Sequence, residues 1–190
     1  MTWRNTVVLL TLFAILGAGC VPRYVPGEVP TDTQLERMTP EDIEAGMQAM
    51  MEKDPPKELT AEERKDEITS SISIMREGTI ERLAEFEGMA RYAGAGSAKI
   101  VRNGDRYKLV LGEDFSVTAG PSLVVLASNH LNPGTRKELE LADMTEVGRL
   151  KTFEGLQTFD LPEGFDVSTV KSIVIYCEPF QTVFAVASIH

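Results

Sequence analysis

The run Ala98-Lys-Ile-Val-Arg102, Asn103-Gly104, Asp105-Arg-Tyr-Lys-Leu-Val-Leu111 decides how the C-terminal half of this chain folds. Apolar and polar side chains alternate on both sides of an Asn-Gly pair, which tolerates the positive φ values of a two-residue hairpin turn. The pattern predicts an antiparallel hairpin closed by a type I′ turn at Asn103-Gly104. In that register Arg102 faces Asp105, Ile100 faces Tyr107 and Ala98 faces Leu109, so one face is apolar and the mouth carries an ion pair. Lys99 opposite Lys108 is a small penalty that only a wet face tolerates.

Downstream the same alternation continues. Gly94, Gly96, Gly104, Gly112 and Gly120 punctuate short strands. Ser122–Ala127 reads as a further strand. Lys171–Cys177 is apolar on both faces, as in a central strand, and Phe180–Ile189 forms a last strand after the break at Pro179. Upstream of Gly78 the period is helical. Thr39-Pro40-Glu41-Asp42 supplies a capping hydroxyl, a first-turn proline and two carboxylates at the positive end of the dipole, starting a helix that Pro55-Pro56 stops after about Lys53. Its Ile43, Met47, Met50 and Met51 share a face. That face reads as packing surface rather than a copper(I) site, since no His or Cys joins it. A second helix is expected from Thr60, with Glu63 closing a capping box, to Arg76, its Ile68, Ile72 and Met75 turned inward. The expected fold class is mainly β: an antiparallel β-sandwich of seven to ten strands over residues 83–190, preceded by two short α-helices.

The N-terminus reads as an address. Arg4 gives a positive n-region and Val7–Leu16 an apolar h-region too short to span a bilayer, followed by Gly17-Ala18-Gly19 and Cys20. Leu16-Gly17-Ala18-Gly19-Cys20 resembles the bacterial lipobox, although Gly17 stands where Leu is usual. The resemblance implies lipidation of Cys20 after export and cleavage on its N-terminal side. An ordinary secretory signal cleaved near the same place is the alternative. Residues 1–19 are then a lipoprotein signal peptide and residues 20–39, with Pro22, Pro26, Gly27 and Pro30, an acylated cysteine and extended tether. Residues 40–80 make a helical segment and 83–190 the β domain. The membrane is a partner through the lipid anchor. Val21, in place of Asp, resembles outer-membrane lipoproteins facing the periplasm of the bacterial cell envelope.

Charge excludes other partners. With Arg4 set aside, 18 basic and 29 acidic side chains remain, a net of −11. No Lys/Arg cluster occurs, so neither nucleic acid nor electrostatic binding to anionic headgroups is expected.

Several pieces in order resemble a known family. They are Phe86-Glu-Gly88 with Gly96–Ile100, Tyr107–Leu111 leading into Asp114–Val117, Gly120-Pro121-Ser122-Leu123 with Val125–Ser128, and Val147–Lys151. Gln157–Pro162 follows, then Ser172–Cys177 with Phe180, Phe184 and Ala187. From about Leu83 to Ile189 the chain is similar to the electron-transfer DM-thirteen domain, found alone in bacterial exported proteins and beside DOMON domains in animals. The resemblance implies redox work through the family's cysteine, which matches Cys177, with an unidentified protein or redox partner. Ser122 stands where the family usually has Asp, and Tyr176 where it usually has Trp.

On its own residues, Cys177 lacks what makes a thiolate. No cation, helix N-terminus or metal ligand is nearby in sequence, Glu178 is adjacent, and Ile173, Ile175, Phe180 and Phe184 make an apolar setting. Cys177 is thus a candidate redox thiol, with Tyr176, Phe180 and Ser122 as candidate supporting residues, or it is a packing group in a lipid-tethered binding or structural module. With Cys20 acylated it has no second thiol to pair with, so a redox cycle needs a partner. His130 and His190 do not make a metal-ligand spacing, and no haem, flavin or other cofactor signature occurs.

Overall fold

The computed structural model describes residues 23–57, 59–140 and 142–190. The signal peptide and Cys20 lie outside the described residues. Three helices come first: α1 (Asp32–Leu35), α2 (Pro40–Lys53) and α3 (Ala61–Glu77). Each begins on a threonine in a reciprocal capping box, Thr31 with Gln34, Thr39 with Asp42 and Thr60 with Glu63. The stretch from Arg23 to Thr39, expected as an extended tether, instead carries α1 and is docked. Pro30 is buried, and Tyr24, Leu35 and Met38 pack on the main core.

Ten strands follow: β1 (Thr79–Gly88), β2 (Gly94–Ala95), β3 (Ser97–Asn103), β4 (Arg106–Leu111), β5 (Ser116–Val117), β6 (Leu123–Ser128), β7 (Met144–Arg149), β8 (Gln157–Asp160), β9 (Ser172–Cys177) and β10 (Thr182–Ile189). A short helix, α4 (Arg136–Glu140), precedes β7. Eight strands form one antiparallel sheet in the order β7-β6-β9-β10-β1-β3-β4-β8, and β2 pairs with β5. The protein is therefore mainly antiparallel β with short helices before it, as expected, and the large sheet is nearly closed. Its terminal strands β7 and β8 approach each other. Gln157, fully buried at the start of β8, fastens the connection that follows β7: its amide accepts from the Lys151 N–H (3.0 Å) and donates to the Thr152 carbonyl (2.9 Å).

The inner face of the sheet holds the main core, in which Phe86, Leu109, Phe115, Val125, Ile175 and Phe184 meet. Two smaller clusters lie on the outer face. Leu139 of α4 covers Val124, Leu126, Val174, Val183 and Val186, and Ile74 of α3 covers Val101 and Val110. Strands β6, β9 and β10 are thus buried on both faces, which is why they read as unbroken apolar runs.

Two sequence expectations are corrected. The hairpin turns on Gly104-Asp105, with Gly104 at φ +63° and Asp105 outside the positive-φ region, as in a type II′ turn rather than I′. The register therefore slides by two: Ile100 faces Leu109, Arg102 faces Tyr107, and Lys99 and Lys108 face Val110 and Val101. The like-charge pair disappears, Arg102 bonds Glu81 (2.7 Å), and Lys108 pairs with Asp160 on β8. Of the expected inward face of α3, Met75 packs beside Ile74, but Ile68 and Ile72 do not turn inward. Ile68 and Ile72 are exposed, and Glu67, Ser71 and Ile74 face the sheet. The Glu67 carboxylate receives Lys151 Nζ (2.8 and 2.9 Å) and the Thr158 N–H, while the Ser71 and Thr158 hydroxyls bond at 2.7 Å. A polar network, invisible to a hydrophobic stripe, holds this helix.

Candidate functional site

Cys177 ends β9, paired to Leu123 on β6 and Thr182 on β10. Its side chain is fully buried. The S–H donates to the carbonyl of Pro121, 3.2 Å away and 56 residues earlier in the chain. The Phe180 N–H in turn faces the sulfur. The two turns are tied together again where the Glu178 N–H meets the Ser122 carbonyl at 3.5 Å. Ser122 sits at φ +47°, in the left-handed region, with its side chain in water.

This setting fixes the thiol's chemistry. Burial pushes its pKa up to about 12, the Phe180 N–H opposes that shift, and the Glu178 charge adds to it. Glu178 itself pairs with Arg149 (3.0 Å), which draws its carboxylate toward the surface. At neutral pH this setting holds Cys177 as the thiol, a hydrogen-bond donor, and disfavours the thiolate.

Two aromatic pairs belong to the same core cluster. Phe180 meets Tyr24 edge-on, centroids 6.4 Å apart, and Tyr92 stacks on Phe184 at 4.0 Å with the rings within 10° of parallel. The Tyr92 hydroxyl points at the Met47 sulfur (3.8 Å), and burial, then the charge of Glu44 and the proximity of Cys177, raise its pKa. Helix α2 roofs this end. Gly46 lies so close to Phe180 and Tyr24 that a side chain there would collide with both. Arg91, in the β1–β2 loop, holds Glu44 (3.1 Å) and Glu41 (3.6 Å). The methionine-bearing face of α2 therefore packs on the domain: Met47 is buried, and Ile43 and Met50 lie against the same core.

Of the sequence-derived candidates, Phe180 is brought to Cys177 and Tyr176 is not. Tyr176 points to the opposite face of β9, half-buried against the α4 cluster, where burial pushes its pKa up to about 12. Ser122 adjoins the site through its backbone only. His130 lies at the other end of β6, where its carbonyl accepts from Ser172 Oγ (2.7 Å), far along the strand from Leu123 and Cys177. Among the described residues no group of three or more His, Cys, Asp and Glu is placed to hold a metal ion. None of the described helices is long and apolar enough to cross a membrane. Sequence reasoning missed Tyr92, Phe184 as a stacking partner, and the Pro121 carbonyl. The Gly120-Pro121 motif was the one available signal, because a proline without an N–H marks a break in strand pairing just before β6.

Fold and site together define a helix-roofed antiparallel β domain built around one buried, hydrogen-bonded cysteine. Residues 85–189 match the family described as Electron transfer DM13, more than half of the chain, and the protein belongs to that family. No curated protein and no solved structure matches the chain.

Proposed function

We propose that this protein is a lipoprotein of the bacterial cell envelope, anchored through acylated Cys20 and facing the periplasm from the outer membrane, whose domain transfers electrons with Cys177 as a buried one-electron relay. The observation that carries this reading is that Cys177 shares one core cluster with two aromatic pairs that lead outward, Phe180 to Tyr24 on one side and Phe184 with Tyr92 on the other. In each cycle the thiol gives one electron to an oxidising partner docked at this end and its proton to water. The resulting thiyl radical then takes one electron from a donor and one proton from water. A raised pKa suits that role better than thiol–disulfide exchange, which needs a thiolate.

A second reading has its own support. A thiol that is fully buried and bonded to the Pro121 carbonyl is also what a packing cysteine looks like. The protein is then a non-catalytic, lipid-tethered binding or structural module. Titration of the native and denatured protein with a thiol reagent, together with protein-film voltammetry of the wild type and Cys177→Ser, separates the two. A one-electron wave lost in Cys177→Ser supports the relay. No wave in either protein, with a thiol that reacts only after denaturation, leaves the binding module.

A further inference from the structure

The chain is held against the domain from its first described residues. Tyr24 packs on Phe180, and its hydroxyl donates to the Glu28 carbonyl (3.1 Å). Pro30 is buried, Lys53 reaches the Gly27 carbonyl (3.4 Å), and Asp32 accepts from Gln181 Nε2 (2.8 Å) and pairs with Arg136 (3.7 Å). At most four residues therefore separate Cys20 from the docked chain at Tyr24. Fully extended, four residues reach about 14 Å at most, whereas a tether running to Thr39 would reach about 65 Å. The headgroup layer on one side of a bilayer is itself about 5–8 Å thick. An acyl chain on Cys20 thus leaves little room for water between this end of the domain and the lipid.

The surface at that end suits such a contact. Val25 and Val29 are 54% and 64% exposed, beside Pro26, which is also exposed. The net charge of −11 gives no attraction to anionic headgroups, so an apolar contact backed by the anchor is the one available.

Resting on the acylation of Cys20 proposed above, we propose that the domain lies against the bilayer with its Cys177 end toward the lipid and Val25 and Val29 in the headgroup region. The opposite end of the sheet, where Leu131 is 57% exposed near Ser172 and Ser188, points into the periplasm. The thiol and its aromatic neighbours are then on the membrane side of the domain.

The one tryptophan of the sequence, Trp3, precedes Cys20, so a tryptophan placed later is a unique reporter in the mature protein. Full-length Val29→Trp, Val25→Trp and Leu131→Trp are expressed, purified from membranes, and reconstituted into vesicles of phosphatidylcholine brominated near the top of its acyl chains. Mass spectrometry of the N-terminal peptide reads acylation separately. The expected result is about twofold quenching at positions 25 and 29, none at 131, and relief of the quenching when about 20 Gly/Ser residues, spanning about 25 Å r.m.s., are inserted after Val21. Acylated protein with no quenching at 25 and 29, or equal quenching at all three positions, overturns the orientation and leaves the anchor standing. An unmodified Cys20 overturns both.

Discussion

Gly46 of α2 lies against the ring of Phe180 so closely that a β-carbon there would fall 2.7 Å from Cε1. Gly to Ala inside a helix ordinarily stabilises by about 1 kcal/mol. Here the sign reverses: Gly46→Ala is expected to cost about 1–3 kcal/mol in urea unfolding, because the ring or the helix must move. Native-state labelling of Cys177 should accelerate at least about tenfold as α2 lifts. An unchanged labelling rate would mean that something other than α2 roofs the thiol.

The thiol makes stability depend on alkaline pH. Its pKa is raised from an ordinary value of 9.0 to about 12 on folding, so above pH 9 the unfolded chain has lost a proton that the native protein keeps. Stability is full below about pH 9 and falls by up to about 1.4 kcal/mol per pH unit until the folded pKa is reached. Tyr176 contributes with the same sign in the upper part of that window. Cys177→Ala, although less stable at pH 7, should therefore show a shallower decline between pH 9 and 11 in denaturant titrations. Parallel declines would show that the native thiol ionises as freely as the unfolded one.

Glu67 anchors α3 through Lys151 and the Thr158 N–H, and its side chain is only 15% exposed. Glu67→Ala leaves an amide and an ammonium short of a partner and should cost about 2–3 kcal/mol. Ile72→Ala, on the exposed side of the same helix, should cost less than about 1 kcal/mol. Comparison of their urea midpoints at constant m-value checks both. Equal losses would contradict the polar anchoring of α3.

Ser122 holds a left-handed backbone with its side chain exposed. Ser122→Gly should stabilise the protein by about 0.5–1 kcal/mol, against the usual cost of introducing glycine. A raised melting temperature checks this, and a lowered one would mean that the turn is unstrained.

Much of the fold is legible in the sequence because it rests on local patterns. Threonine caps three residues ahead of carboxylates place α2 and α3, and the two-sided apolar run Ser172–Cys177 announces a central strand. What escapes is set by partners far along the chain. Asn103-Gly104 allows two turn registers, and Asp160, 52 residues after Lys108, favours the one observed. The inward face of α3 escapes because Glu67 and Ser71 look solvated until Lys151 and Thr158 arrive. At the site, Cys177 and Phe180 are readable as neighbours in sequence. Tyr92, from a loop without periodicity, and Met47, from a helix before the family's match begins, are not.

The Gln157 side chain, seated between the last strand of one end of the sheet and the first of the other, acts as a molecular zipper pull. The rims of an open sheet are where foreign strands attach, and here the edge strands β7 and β8 come together, with the Gln157 amide of β8 bonding the backbone of the segment that follows β7 as a peptide group would. Chains of this protein brought close together thereby offer one another little free backbone to pair with.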